Sequence, residues 1–245
     1  MVPTRLHDSY SRALRANEMQ ARATLDEIVG RSGGVYGDQL AEVLAQAYPS
    51  LVRLYGDRSA ALAVEHYMQV RDAEGVTSRY SPIMPEVDNG AQADVDRITS
   101  QLHGQRMVSA IATSLAKACH DSAARAIVKN AARDTARPRW AIVPHPGACA
   151  WCYMLASRGW EYASRKTALR QRHDNCTCTV EVEFDKKPEL EGYDPDAIRD
   201  RMKGLVDSGS WDDILAEARR RNPDWLATGE GPEFARREGD VTSER

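Results

Sequence analysis

The chain has 245 residues, 42% of them hydrophobic and 28% charged, with a formal net charge of -3; it is long enough to bury a sizeable core, and that balance excludes a disordered chain and a uniformly basic nucleic-acid coat. Only two Phe are present, which argues for helices and against a β-sandwich. No apolar run approaches the roughly 20 residues that span a bilayer, and Met1-Val2-Pro3-Thr4-Arg5 lacks a hydrophobic signal core. The expectation is therefore a protein away from membranes, kept in the reducing interior of the cell that makes it.

In chain order, Leu6, Tyr10, Leu14, Ala21, Leu25 and Ile28 recur at helical spacing, and the Gly-rich stretch from Gly30 to Gly37 ends that helix. A second helical stretch runs from Asp38 through Leu40, Val43 and Leu44 to Tyr48, and a third from Ser59 to Asp72, with Pro49 and Gly56 as punctuation between them. Thr77 to Asn89 reads as an extended connector. The longest helical pattern, Ala91 to Asp134, is expected to break near Gly104. Within it Met107, Ile111, Leu115 and Cys119 fall four apart, so Cys119 reads as a small buried side chain rather than a reactive thiol.

After Pro138 the pattern changes. Trp140 to Val143 and the alternating Thr179 to Phe184 read as two strands that bracket a Cys/His cluster. Asp194-Pro195 opens a further helix, Asp as cap and Pro at the first helical position, and Ser210-Trp211-Asp212-Asp213 has capping-box spacing for another. The fold class is mainly α (α+β): a helical region over 1–137, a small β-containing zinc module over 138–188, two C-terminal helices over 189–222 and a charged, Gly-rich tail over 223–245 read as mobile.

The cluster is Cys149-x-x-Cys152 followed by His173-x-x-Cys176-x-Cys178. Zinc accepts thiolate and imidazole in a tetrahedron, and structural sites join two short ligand groups that the fold brings together. Four cysteines within 30 positions of a reducing compartment read as ligands rather than disulfides. Five donors compete for four places: Cys149, Cys152 and Cys176 are common to both alternatives, with either Cys178 or His173 as the fourth. A redox pair needs no second Cys/His group about 20 residues away, and no thioredoxin-like pattern surrounds this one.

Catalytic motifs are missing: His145-Pro146-Gly147 lacks the carboxylate of a zinc deaminase, and there is no His-Glu-x-x-His, Walker loop, Rossmann fingerprint or nucleophile elbow. With four protein ligands no water remains to be activated, so the zinc is read as structural and the chain as no enzyme. The rival is a metal-dependent or thiol hydrolase acting on nucleic acid or peptide, with His145, His173 and one cysteine at an open site. Between Arg125 and Arg172 basic residues dominate, whereas Glu181 to Asp200 is mainly acidic. The basic stretch either meets phosphate, with Arg165, Lys166, Arg170 and Arg172 as candidate nucleic-acid contacts, or is a solvated face paired with the acidic one.

The stretch from Arg139 to Phe184, above all Cys149-Ala-Trp-Cys152-Tyr-Met-Leu-Ala-Ser-Arg-Gly159, Tyr162 and His173-Asp-Asn-Cys-Thr-Cys178-Thr-Val, resembles the C-terminal module of phage Mu F-like minor head proteins, in particular those of tailed phages and prophages of actinobacteria. That family follows a Cys-x-x-Cys with a His-Pro-Asn-Cys-x-Cys box; Asp174 stands in place of the Pro and leaves the donor spacing unchanged. By motif the match covers about a fifth of the chain. The resemblance implies a minor capsid or head-morphogenesis protein, present in few copies in the virion, at the portal and capsid interior, and in the host cytoplasm during assembly. Its implied partners are the portal protein, the major capsid protein and packaged DNA through non-specific phosphate contacts, with no membrane.

Overall fold

Tyr10, Leu14, Asn17, Ala21, Leu25 and Val29 recur every three or four residues, and that spacing winds Thr4–Arg31 into helix α1 with all six side chains buried on one stripe. The computed structural model describes residues 4–35, 37, 39–87, 90–145, 148, 150–160, 178–185, 189–203 and 211–221. The remaining elements are α2 (Leu40–Ala73), α3 (Ala91–Gln101), α4 (Gly104–Ala131), β1 (Arg139–Val143), α5 (Ala150–Ala156), β2 (Thr179–Glu183), α6 (Pro195–Met202) and α7 (Trp211–Arg221). The described chain is mainly helical. None of its helices is long and apolar enough to cross a membrane.

The two helices expected before and after Pro49 and Gly56 are a single helix, α2, of 34 residues. Both breakers are accommodated from outside the helix. Pro49 lacks the N–H that would bond the carbonyl of Ala45, and the side-chain amide of Gln92 in α3 reaches that carbonyl at 3.5 Å instead. At Gly56 a Cβ would stand 2.9 Å from Ser122 Oγ and 3.0 Å from Val87 Cγ1, so the missing side chain lets α4 and the connector close on α2. Gly56 is thus a packing residue, not a stop.

The other local signals hold. The break falls at Leu102 and His103, both extended, and Gly104 takes the left-handed φ of 55° that suits glycine. The connector before α3 is pinned to α4 by the fully buried Asn130, whose side chain accepts from Ile83 N and donates to Ile83 O, at 2.8 and 3.0 Å. At α6 the Asp194 carboxylate accepts from Asp196 N and Ala197 N, as the Asp-Pro signal predicts. Ser210 and the tail over 223–245 lie outside the described residues.

α1, α2 and α4 form the helical core. Contacts at Tyr10 with His66, Asn17 with Ser59 and Thr24 with Tyr55 make α1 antiparallel to α2, whereas Tyr48 with Ser114 and Gly56 beside Ser122 make α2 and α4 parallel. One buried cluster gathers Leu25, Leu44, Val95, Ile111 and Cys119. The other runs from Tyr10 and Tyr67 through Ile127 into Trp140, Ile142, Leu155 and Val182, joining every described helix but α3 to the strands.

β1 and β2 pair antiparallel, Arg139 opposite Glu183, Ala141 opposite Glu181 and Val143 opposite Thr179. Alternation of the kind seen in β2 ordinarily leaves one face in water. Here all five residues are buried. Val180 and Val182 point to the apolar side, and Thr179, Glu181 and Glu183 point the other way, into a polar seam against α1 and α2.

Candidate metal centre and the polar seam

Of the five proposed zinc donors, Cys149, His173 and Cys176 lie outside the described residues, as do Arg165, Lys166, Arg170 and Arg172. The two described donors come from separate segments: Cys152 from the middle of α5, and Cys178 at the entry to β2. Both are buried, at 2% and 0% exposure. Both also act on one hydroxyl: the Tyr153 pKa is raised by burial, then by Cys178 and, less strongly, by Cys152, with Arg201 opposing. Two thiols buried at the junction of a helix and a strand, each flanked in sequence by another donor, fit a tetrahedral thiolate-rich ion, whose charge would offset the cost of burying thiolates. Among the described residues no group of three or more His, Cys, Asp or Glu side chains could hold a metal.

The short α5 is held by its neighbour. Tyr193 Oη donates to Ala156 O at 2.7 Å and Arg199 Nε to Ser157 O at 3.2 Å, so α6 and its lead-in satisfy carbonyls at the end of the Cys152 helix. Trp160 meets Tyr193 edge-on, at 5.8 Å between ring centroids.

The polar seam, which no motif spacing in the sequence marks, gathers Glu181, His66 and His7 around one buried carboxylate. Glu181, fully buried, takes His66 Nε2 at 2.6 Å on one oxygen and His7 Nδ1 at 2.8 Å on the other. Burial opposes its charge, but the attraction and hydrogen bond of His66, followed by those of His7, hold its carboxyl down at about 2. Burial likewise opposes charge on His7, and Glu181, by hydrogen bond and charge, with Asp8 behind it, raises the pKa above the ordinary 6.5. Tyr10 stacks on His66, its ring centroid 4.2 Å away and the planes 4° apart.

Two residues along β2, Glu183 faces Glu74 at the end of α2. Burial first and then the hydrogen bond to Glu183 push the Glu74 carboxyl up to about 8, against the opposing bond donated by Phe184 N at 2.7 Å. A third cluster closes this end of the helices: Asp134 accepts from Arg71 Nε and Tyr67 Oη, each at 2.9 Å, while Arg71 Nη2 donates to Ser78 O and Ser78 Oγ. The sequence did carry a signal for His66, which falls with Ala63, Tyr67 and Val70 on the buried stripe of α2. For Glu181 the signal was weaker, an acid inside a strand.

Cys119 is 1% exposed, and burial pushes its thiol up to about 12, as its place on the apolar stripe predicts. His145 lines a cavity with His7 and His120. Compared with known proteins, the chain matches the family model described as VG15 protein over residues 1–204. No curated protein and no solved structure matches it.

Proposed function

The chain belongs to the VG15 protein family, a family of phage proteins, and from that premise we propose that it is a minor capsid, or head-morphogenesis, protein of a tailed phage of the Mu F-like kind. It is a structural virion component at the portal and capsid interior, and its zinc is structural. The observation that carries this reading is the extent of the family match, which takes in α1 to α6 and the whole Cys/His stretch together. The resemblance of Arg139 to Phe184 to the Mu F-like module supports a head protein within that phage assignment. Cys152 and Cys178, buried against one apolar core, support a closed ion that ties α5 to β2.

In this role the zinc, when bound, supplies cross-linking, and the surrounding residues exclude water from it. The long helices offer contact surfaces for the portal and major capsid proteins. Arg165, Lys166, Arg170 and Arg172 supply positive charge for non-specific contact with packaged DNA.

Mass spectrometry of purified virions of the encoding phage tests the assignment. The chain is expected at a few copies per particle, retained after the DNA is released and recovered with the portal protein after crosslinking. Its absence from virions would overturn the assignment. Metal analysis tests the centre: one zinc per chain with only sulfur and nitrogen neighbours in X-ray absorption is expected, and a bound exchangeable water would replace the structural role with a hydrolytic one.

A further inference from the structure

A cavity of about 340 Å³ opens between the first half of α1, α4 and the end of β1. Its walls carry His7, Arg12 and Arg15 from α1, His120 from α4 and His145 just after β1, with Asp8 as the lining carboxylate. Three of the chain's six histidines therefore meet at one place, from three parts of the fold. We propose that this cavity binds a phosphate dianion, either inorganic phosphate or the terminal phosphomonoester of a nucleotide.

Arg12 and Arg15 are exposed and make no hydrogen bond or ion pair among the described residues, so their guanidinium donors remain available, although the charge of Arg15 also acts on Glu18. Two of the imidazoles are oriented by carboxylates: His7 Nδ1 lies 2.8 Å from Glu181 Oε1, and His120 Nε2 lies 3.0 Å from Glu18 Oε2. A carboxylate on one ring nitrogen fixes the orientation of the ring. The cavity thus presents two guanidinium forks and oriented imidazoles, with Asp8 as its lining carboxylate and Glu181 and Glu18 behind the rings of His7 and His120.

A cation is repelled by that wall, and an apolar ligand would strand its charges. A tetrahedral dianion answers several donors at once, and guanidinium forks match its oxygens in pairs. The volume accommodates the phosphate with the sugar of a mononucleotide, whereas a duplex backbone asks for an open groove. The site is separate from the Cys/His cluster and from Arg165 to Arg172. Its failure would leave the family assignment intact, because that rests on the sequence match.

Calorimetric titration of the full chain with inorganic phosphate, and in parallel with dAMP and with duplex DNA, tests the proposal. Inorganic phosphate is expected to bind at one saturable site, weakened about tenfold or more in the Arg12→Gln/Arg15→Gln double variant. Both positions are exposed, so that variant is expected to retain the wild-type circular dichroism spectrum and melting temperature. Tighter binding of dAMP with the same arginine dependence would support the cavity and assign the phosphate to a nucleotide. No saturable phosphate binding, phosphate binding indifferent to the double substitution, or binding of duplex DNA alone would each overturn it.

Discussion

Glu181 of β2 and His66 of α2 meet at 2.6 Å in a seam where both side chains are essentially out of water. Removing one partner of a buried pair leaves the other uncompensated, which costs far more than the pair contributes over an apolar pair. Glu181→Gln is therefore expected to lower unfolding free energy by about 3–5 kcal/mol near neutral pH, measured by urea denaturation. Unchanged stability would show that the seam tolerates an unpaired imidazole.

Glu181 and its second partner, His7, set a pH window. The carboxyl of Glu181 is lowered from 4.5 to about 2, so its contribution is present above 4.5 and is lost as pH falls toward about 2. His7 is raised, so its contribution is complete below 6.5 and is lost as pH rises through its folded value. The stability difference between wild type and Glu181→Gln should be largest between 4.5 and 6.5 and shrink on either side. A difference that stays flat across this range would contradict the ion pair.

Glu74 has the opposite sign. Its pKa is raised to about 8 from 4.5, so the folded state binds a proton that the unfolded state releases, and stability falls as pH rises through that interval. In Glu74→Gln the amide can donate to Glu183 where the carboxyl proton did. The variant is expected to match wild type at about pH 5 and to exceed it in urea midpoint at about pH 9. A deficit at both pH values would mean that the carboxylate form is the one the fold uses.

The two breaker residues of α2 should respond in opposite directions. Pro49→Ala restores an N–H for Ala45 O and is expected to stabilise the protein by about 1–3 kcal/mol. Gly56→Ala adds a better helix former, yet its Cβ meets Val87, stiff at its branched carbon, and Ser122, whose Oγ is already bonded to Ala118 O. Destabilisation by about 1–3 kcal/mol is expected from overpacking. Thermal melts of both variants check the pair, and a stabilised Gly56→Ala would mean that α4 and the connector can retreat at no cost.

For the zinc centre, Cys152→Ser is expected to abolish metal binding and lower the melting temperature, because binding free energy in such a site is also folding free energy. Comparing Cys178→Ser with His173→Gln by zinc content identifies the fourth ligand: the one that loses metal is the ligand, and the other keeps a full equivalent. A metal-free Cys152→Ser protein with the wild-type melting temperature would remove the structural role.

Local signals were legible because the chemistry that answers them lies within a few residues. Asp194 caps α6 with its own carboxylate, Gly104 supplies the left-handed φ at the break, and Cys119 follows its stripe into the core. Pro49 and Gly56 were misread for the converse reason, since what neutralises them comes from Gln92, Val87 and Ser122, which are distant in sequence. In the candidate centre, the spacing put Cys152 and Cys178 in one group, and both are buried in the same core.

The sequence by itself determined the helical class, the two strands that flank the Cys/His stretch, the break before Gly104 and the Asp194 cap, because periodicity and capping are properties of neighbouring residues. Only the tertiary structure decided that α2 runs unbroken, that the acids of β2 face inward, and that His7 and His66 meet them. Those outcomes depend on Coulomb energy and packing between segments as much as 174 residues apart, so no pattern within one segment encodes them.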